Sequence, residues 1–561
     1  MRIAIQKFKI SSAFLPVFLL ICNGLFSQNI TISGYVTDKQ TGERLIGANV
    51  YNVSMLKGNT TNNYGFYSIT FPQGNVKLVC SFVGFKQYDI ELSVKENRVL
   101  NIELQSNSNE VDEIVVKSSS KNKVEQAQMS MVALPIQKIH KVPVILGEAD
   151  IMKIIQLYPG VQTGTEGTSG INVRGGSSDQ NLFLIDGVPV YNVNHLFGFF
   201  STFDPSAIKS VNVYTGGFPA RYGGRLSSVV DIRMTEGNLK ELKGDFTIGL
   251  ISSKLMLEGP IAKDKTSFMI SVRRTYADLL AKPIFAYLKK DSDSKTDYAL
   301  YFYDINGKLS HQFSEKSKLY LSIYNGKDQF SQNEEYDNST AKIEATTVNN
   351  NQYGIGWSNT ISALRWNYLL SNKLFSNTSL SYSKFIFDVN FLMETSYLKN
   401  DTTITDYYKY YSGVEDFAFK VDFDYFPSQN HSVKFGVGTT RHRFDPGVSL
   451  TEDVDNRNIK EGTFANEFSA YAEDEFSIAE KVNVNLGIHL SLFSVENKNY
   501  FRPQPRISLN FKPFENVSFK ASYSRMAQHI HLLNSAGIEL PMDLWVPITA
   551  RYEPPISDQL A

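Results

Sequence analysis

A hydrolase would have to be assembled from a few residues of suitable type and spacing, and this sequence offers few. Its 8 histidines supply neither His-Glu-x-x-His nor His-x-x-Glu, the spacings that set metal ligands and a base on one helix face. His311 and Glu315 are four apart but fall at the end of a strand-like stretch. His529 and His531 are two apart in a loop, where solvated side chains or a transient metal contact are the alternatives. Asp291-Ser292-Asp293 has the carboxylate spacing of a calcium loop without its glycine and bidentate glutamate. There is no Gly-x-Ser-x-Gly elbow and no Walker loop. Cys22 and Cys80 are the only cysteines, so a cysteine metal cluster is excluded. The sequence predicts no enzyme, no catalytic residue, no metal and no cofactor.

What remains is the chemistry of binding. Tyr191-Asn192-Val193-Asn194-His195-Leu196-Phe197-Gly198-Phe199-Phe200 mixes aromatic faces with amide and imidazole groups. That mixture suits a polar organic ligand better than a bare ion. Tyr191 and His195 are the candidate contacts, because each carries a polar group that needs a partner when buried. The alternative is that the phenylalanines pack this stretch against a neighbouring wall. A second candidate is Glu110 to Lys117, a β-prone run between the polar stretches 105–109 and 118–123. A short β-prone segment inside a flexible tether invites strand addition to a partner's sheet edge. It is alternatively the last strand of the domain before it.

The elements that must position these groups follow from composition and pattern. Net charge is −1, so no basic field exists to attract nucleic acid. Residues 1–27 read as a signal peptide, with Arg2, Lys7 and Lys9 ahead of an apolar run from Ile10 to Phe26 and Ser27 before the cleavage point. No later segment has the roughly 20 apolar residues of a spanning helix, so any membrane passage must be made by a β-barrel. Aromatic residues make up 13%, which suits a barrel with aromatic girdles.

Residues 28–105 carry short alternating runs split by turns, such as Ile30 to Val36 and Ala48 to Val53. Gly34-Tyr35-Val36-Thr37-Asp38, Thr41-Gly42-Glu43, Gly47-Ala48-Asn49-Val50, Asn63-Tyr64-Gly65-Phe66-Tyr67 and Val83-Gly84-Phe85 closely resemble the carboxypeptidase regulatory-like domain. That resemblance implies a transthyretin-like β-sandwich without catalytic residues. Residues 106–125 follow as a flexible linker. Residues 126–237 hold the densest motifs: Pro159-Gly160, Arg174-Gly175-Gly176, the strand–turn–strand around Asp186-Gly187, and Phe218 to Arg225 with Arg221 and Arg225. In order and spacing they resemble the plug of TonB-dependent receptors. Arg174, Arg221 and Arg225 either hold such a plug to barrel carboxylates or bond within it.

Within residues 238–561, the stretch 240–526 alternates with period two. Val482, Val484, Leu486, Ile488, Leu490 and Leu492 share one face, and Asn483, Asn485, His489 and Ser491 share the other. Short turns near 263–264, 314–316, 371–373, 427–430, 479–480 and 513–516 alternate with longer stretches at 275–300, 326–352, 386–412, 446–460, 494–502 and beyond 527. A transmembrane barrel predicts this rhythm. About 13 strands are expected, against the 22 of plugged transporters, so the natural chain is expected to be longer. The fold class expected is mainly β: sandwich, small α+β plug and the N-terminal part of a transmembrane barrel.

The whole resembles a Bacteroidetes-type TonB-dependent outer-membrane receptor. Such a receptor sits in outer-membrane lipid with its N-terminal domain in the periplasm. It binds ligand at its outer face and is driven by TonB and the inner-membrane energising complex. Val111, Asp112, Glu113, Ile114, Val115 and Val116 fit the TonB box. A surface lipoprotein partner is a further expectation, and nucleic acid is not expected. Rival functions are a passive channel or adhesin on the same barrel, or a signal-transducing receptor.

Overall fold

The computed structural model describes residues 29–53, 57–107, 130–134, 136–139, 148–163, 170–288, 294–337, 347–397, 401–451, 462–479, 481–514, 517–533 and 544–561. The expected leader 1–27, the run Val111–Val116 and Asp291-Ser292-Asp293 lie outside the described residues.

Two small sheets face each other at the N-terminal end. In the first, Asn29–Asp38 pairs antiparallel with Phe66–Pro72 and parallel with Arg98–Val99 and Ile102–Leu104. In the second, Lys57–Thr60, Asn49–Asn52, Gly74–Ser81 and Tyr88–Val94 lie in that order. Alternation points Ile32, Val36 and Tyr67 of the first sheet toward Val50, Leu78 and Cys80 of the second, and these form one core. The opposite face of the first sheet is buried too, at Thr31, Ser33, Phe66 and Ser68. A free sandwich would leave that face in water.

The plug is a five-stranded mixed sheet in the order Val188–Pro189, Asn181–Ile185, Ser228–Met234, Ile208–Tyr214, Met131–Leu134. Every residue of Ser228–Met234 is buried, as a central strand covered on both faces requires. Ile151, Met152 and Ile155 of the helix Ile151–Ile155 share the core with this sheet. Asp150 caps that helix by accepting from the Met152 and Lys153 amides. Leu157 to Val161 closes it, with the Val161 amide donating to the Tyr158 carbonyl at 3.1 Å.

The remainder forms one 14-stranded antiparallel sheet from Lys243–Ile248 to Ile556–Leu560. Each strand pairs with its sequence neighbour until Val517–Ala527, which pairs with Ile556–Leu560 across the small hairpin Ile530–Leu533/Leu544–Pro547. At one end the connections are short: 263–265, 315–316, 372–373, 429–430, 480–481 and 515–516. At the other end they are mostly longer, and the one after Thr266–Thr275 carries the helix Ala277–Leu288. Two expectations change. The stretch 494–502 is a tight hairpin, because Glu496 and Asn497 both adopt positive φ (48° and 64°) and Val495 pairs with Lys498. The stretches 326–352 and 386–412 are largely paired strand, so the long connections are tall hairpins. Thr347–Ser371 and Thr402–Ser428 run 25 and 27 residues, beyond the roughly 9–11 that cross a bilayer.

Burial along these strands is inverted relative to a soluble sheet. Ile305 and Leu309 are exposed at 41% and 38%, while their neighbours Asp304, Lys308 and Ser310 are buried. Leu486, Ile488, Ile507 and Leu509 are likewise exposed against buried His489, Ser491, Ser508 and Asn510. An outward apolar band over a polar interior is stable only with lipid outside. Phe313, Trp366 and Phe514, near the short turns, are exposed as an interfacial aromatic girdle would be. The plug fills the polar interior.

Candidate functional site

Asp186 and Gly187 form the two-residue turn of a plug hairpin in which Ile185 pairs with Val188. Both have positive φ, 48° and 79°, and Asp-Gly tolerates this where most residues do not. The turn aims the Asp186 carboxylate at the barrel wall. It lies 2.9 Å from Lys308 Nζ and accepts from Ser322 Oγ at 2.6 Å. It also accepts from the Met234 amide at 3.1 Å. Arg365 donates to the Asp186 carbonyl. Burial raises the Asp186 carboxyl, but Lys308, Arg365 and Arg233 outweigh it and hold the carboxyl at about 2.

His195 makes a second tie. Its Nε2 is 2.7 Å from Asp304 Oδ1 and its Nδ1 is 2.5 Å from Asp328 Oδ2, both on barrel strands. Its ring stacks on Phe302 at 4.2 Å. Burial lowers its pKa, but the two carboxylates outweigh this and raise it to about 9, so the ring is a cation at neutral pH. The next two residues, Leu196 and Phe197, both have positive φ (46° and 57°). Non-glycine residues in this region store strain that their surroundings must hold. Here Asp328 Oδ1 accepts the Leu196 amide at 2.8 Å. Tyr191 is also buried, and its hydroxyl donates to Asp416 Oδ2 at 2.6 Å.

The polar groups that singled out Tyr191 and His195 are therefore satisfied by barrel carboxylates. Phe200 is buried near Phe302, whereas Phe197 and Phe199 are exposed at 38% and 57%. Phe197 meets Trp357 edge-on at 5.2 Å. Between plug and barrel lies a pocket open to solvent, with about 810 Å³ of space when the solvent in its mouth is counted. Tyr191, Asn192, Asn194 and Phe197 line it from the plug, Trp357 and Phe385 from the wall, and Trp545 from the small hairpin. Tyr191 meets Trp545 edge-on at 5.0 Å. The Asn192 amide nitrogen and Asn194 amide oxygen are buried without a partner. Phe385 and Trp357 lie roughly 40–50 Å along their strands from the short turn at 372–373, taking about 3.3 Å per residue. The pocket thus opens toward the tall hairpins.

The three plug arginines do different things. The Arg174 amide donates to the Gly160 carbonyl at 2.8 Å, and its guanidinium donates to Ser130 Oγ, so it bonds within the plug. Gly176 packs against Ser227, where an added Cβ would come within 2.6 Å. Arg221 approaches the barrel through its carbonyl, which accepts from Lys420 Nζ at 3.3 Å. Arg225 lines the pocket; its guanidinium donates to the Gly224 carbonyl and lies 5.3 Å from the Trp545 ring. His529 departs from the solvated reading: it is buried and stacks on Phe493 at 4.9 Å. His531 Nδ1 lies 3.5 Å from Asp179.

Sequence reasoning missed the barrel halves of these ties: Asp304, Asp328, Asp416 and Lys308. A signal was present, since charged residues share one parity of a strand whose other parity is apolar. Glu236, just after the last plug strand, likewise takes Lys318 Nζ at 2.6 Å and Lys209 Nζ at 3.1 Å.

Comparison with known proteins agrees with this architecture. Residues 32–116 match the CarboxypepD_reg-like domain. Residues 126–230 match the TonB-dependent receptor plug domain, and 278–528 match the TonB-dependent receptor-like β-barrel. The chain is similar to the TonB-dependent receptor SusC of Bacteroides thetaiotaomicron, at 28% identity over 39% of this chain and 23% of that protein. It is also similar to the TonB-dependent receptor P39 of Formosa agariphila, at 24% identity over 45% of this chain and 24% of that protein. The match therefore spans about a quarter of the length of these relatives. Among solved structures, the siderophore receptor PirA from Acinetobacter baumannii shares the fold, with a TM-score of 0.52 at 18% identity. That match covers 78% of this chain and 68% of that one.

Proposed function

Because the chain belongs to the TonB-dependent receptor family, in its Bacteroidetes-type form with an N-terminal carboxypeptidase regulatory-like domain, we propose that it imports a polar organic ligand across the outer membrane by a gated step energised through TonB. The observation that carries this reading is the pocket at Tyr191 to Phe197, on the tall-hairpin side of a plug that fills the barrel. Aromatic faces and unpartnered amide groups there offer stacking and hydrogen bonding together. A plug tied to the wall at Asp186, His195 and Glu236 is what a passive channel would lack. The sandwich lies at the short-turn end, which is the periplasmic side of such a barrel. Val111–Val116 is the segment proposed to add as a strand to TonB, and Pro159-Gly160, Arg174 to Gly176, Asp186-Gly187, Arg221 and Arg225 are proposed as framework of the plug.

Two variants of the receptor separate binding from energy transfer. Tyr191→Ala removes an aromatic wall of the pocket and the bond to Asp416, and should weaken ligand affinity while TonB is still bound. Ile114→Pro removes a backbone donor and breaks strand addition; ligand affinity should persist while uptake stops. Uptake at the wild-type rate by Ile114→Pro would contradict the TonB assignment. Unchanged affinity in Tyr191→Ala would move the ligand to the tall hairpins.

A further inference from the structure

The N-terminal sandwich is docked, and the manner of its docking suggests a job. Phe66–Pro72 is buried on both faces up to its exposed last residue, Pro72. Tyr67, Ile69 and Phe71 fill the sandwich core, while Phe66 and Ser68 point the other way. Phe66 stacks on Phe375 of the barrel at 5.4 Å, with 19° between ring planes, and packs on Phe426 at 6.2 Å. Ser68 Oγ donates to the Asn372 carbonyl in a short turn at 2.7 Å, and Asn62 donates to Asp424 at 2.8 Å. Alternation puts an aromatic residue on what would be the sandwich's wet face, and the barrel rim covers it.

The same domain reaches the plug. Glu43 Oε1 accepts the Glu236 amide at 2.7 Å and lies 3.2 Å from Lys209 Nζ. Lys209 is in the plug strand Ile208–Tyr214, and it also meets Glu236, which in turn holds Lys318 of the barrel. One carboxylate of the sandwich thus closes a buried network joining all three parts of the chain. Removing it would leave Lys209 with one carboxylate in place of two. Groups of this kind, withdrawn from water, are strongly destabilised when a partner is lost.

We propose that the sandwich is a clamp: docked on the barrel rim through Phe66 and on the plug through Glu43, it holds the plug in its closed seat, and its release is a step in opening. This rests on the gated-transport reading for its purpose, but its test needs neither ligand nor TonB. In the purified receptor, amide hydrogen exchange is followed in the plug strands 208–214 and 228–234, with barrel strands as the internal control.

The release variant Phe66→Ser/Glu43→Gln should exchange about tenfold faster in both plug strands while the barrel is unchanged. The locking variant Ser68→Cys/Asn372→Cys ties the sandwich to the rim; Cys80 is buried in the sandwich core and out of reach. Its oxidised form should exchange more slowly in the plug than its reduced form. Should the release variant unfold the sandwich, the clamp is still lost and the plug should still loosen. Plug exchange unaltered by both release and oxidation would overturn the proposal, as would failure of the cysteine pair to form a disulfide in the membrane.

Discussion

His195 shows how one residue couples plug to wall. Its folded pKa, about 9, is raised above the ordinary value of about 6.5 by Asp304 and Asp328 against the opposing effect of burial. A raised pKa means that the folded, tied state binds the proton more tightly. The stabilisation is therefore complete below pH about 6.5 and is lost as pH rises through about 9. Limited proteolysis of the purified receptor should find the plug progressively more cleavable across that window. His195→Gln should remove this pH dependence and give a plug that is looser at neutral pH. A wild-type plug equally resistant at pH 6 and pH 10 would contradict the tie. The sequence made His195 and Tyr191 legible as polar groups in need of partners. It could not name Asp304 or Asp416, which lie 109 and 225 residues away and become neighbours only when the barrel curls around the plug.

At the scale of elements, local chemistry was legible wherever it decides the backbone. Asp186-Gly187 was readable as a hairpin turn because its residues tolerate positive φ. Glu496-Asn497 was not, because Glu is a poor residue for such a turn; pairing of Val495 with Lys498 on either side imposes it. Period-two alternation revealed the strands but not their height, since tall hairpins carry polar residues on both faces and look like loops. Gly187 provides the test at this scale. An added Cβ there would lie 3.1 Å from the Arg365 guanidinium, on a backbone with φ 79°. Gly187→Ala should destabilise the plug by about 1–2 kcal/mol, from left-handed strain and displacement of that guanidinium. The midpoint of plug unfolding in urea should fall while the barrel transition stays put, and an unchanged midpoint would show that the turn is slack.

At the scale of the whole molecule, a polar interior must be filled and an apolar exterior must face lipid. The plug satisfies the first requirement with ionised ties at Asp186, His195 and Glu236. The order of sandwich, plug and barrel was legible because each part has its own motif spacing. Their mutual contacts were not, because Phe66 on Phe375 and Glu43 on Lys209 join residues with no shared pattern. On the proposed reading, opening requires imported work. The direct measurement is uptake of radiolabelled ligand by cells making the receptor, before and after a protonophore collapses the inner-membrane proton gradient. Surface binding should persist while accumulation inside the outer membrane stops. Accumulation that continues at the same rate without the gradient would contradict it and leave a passive channel.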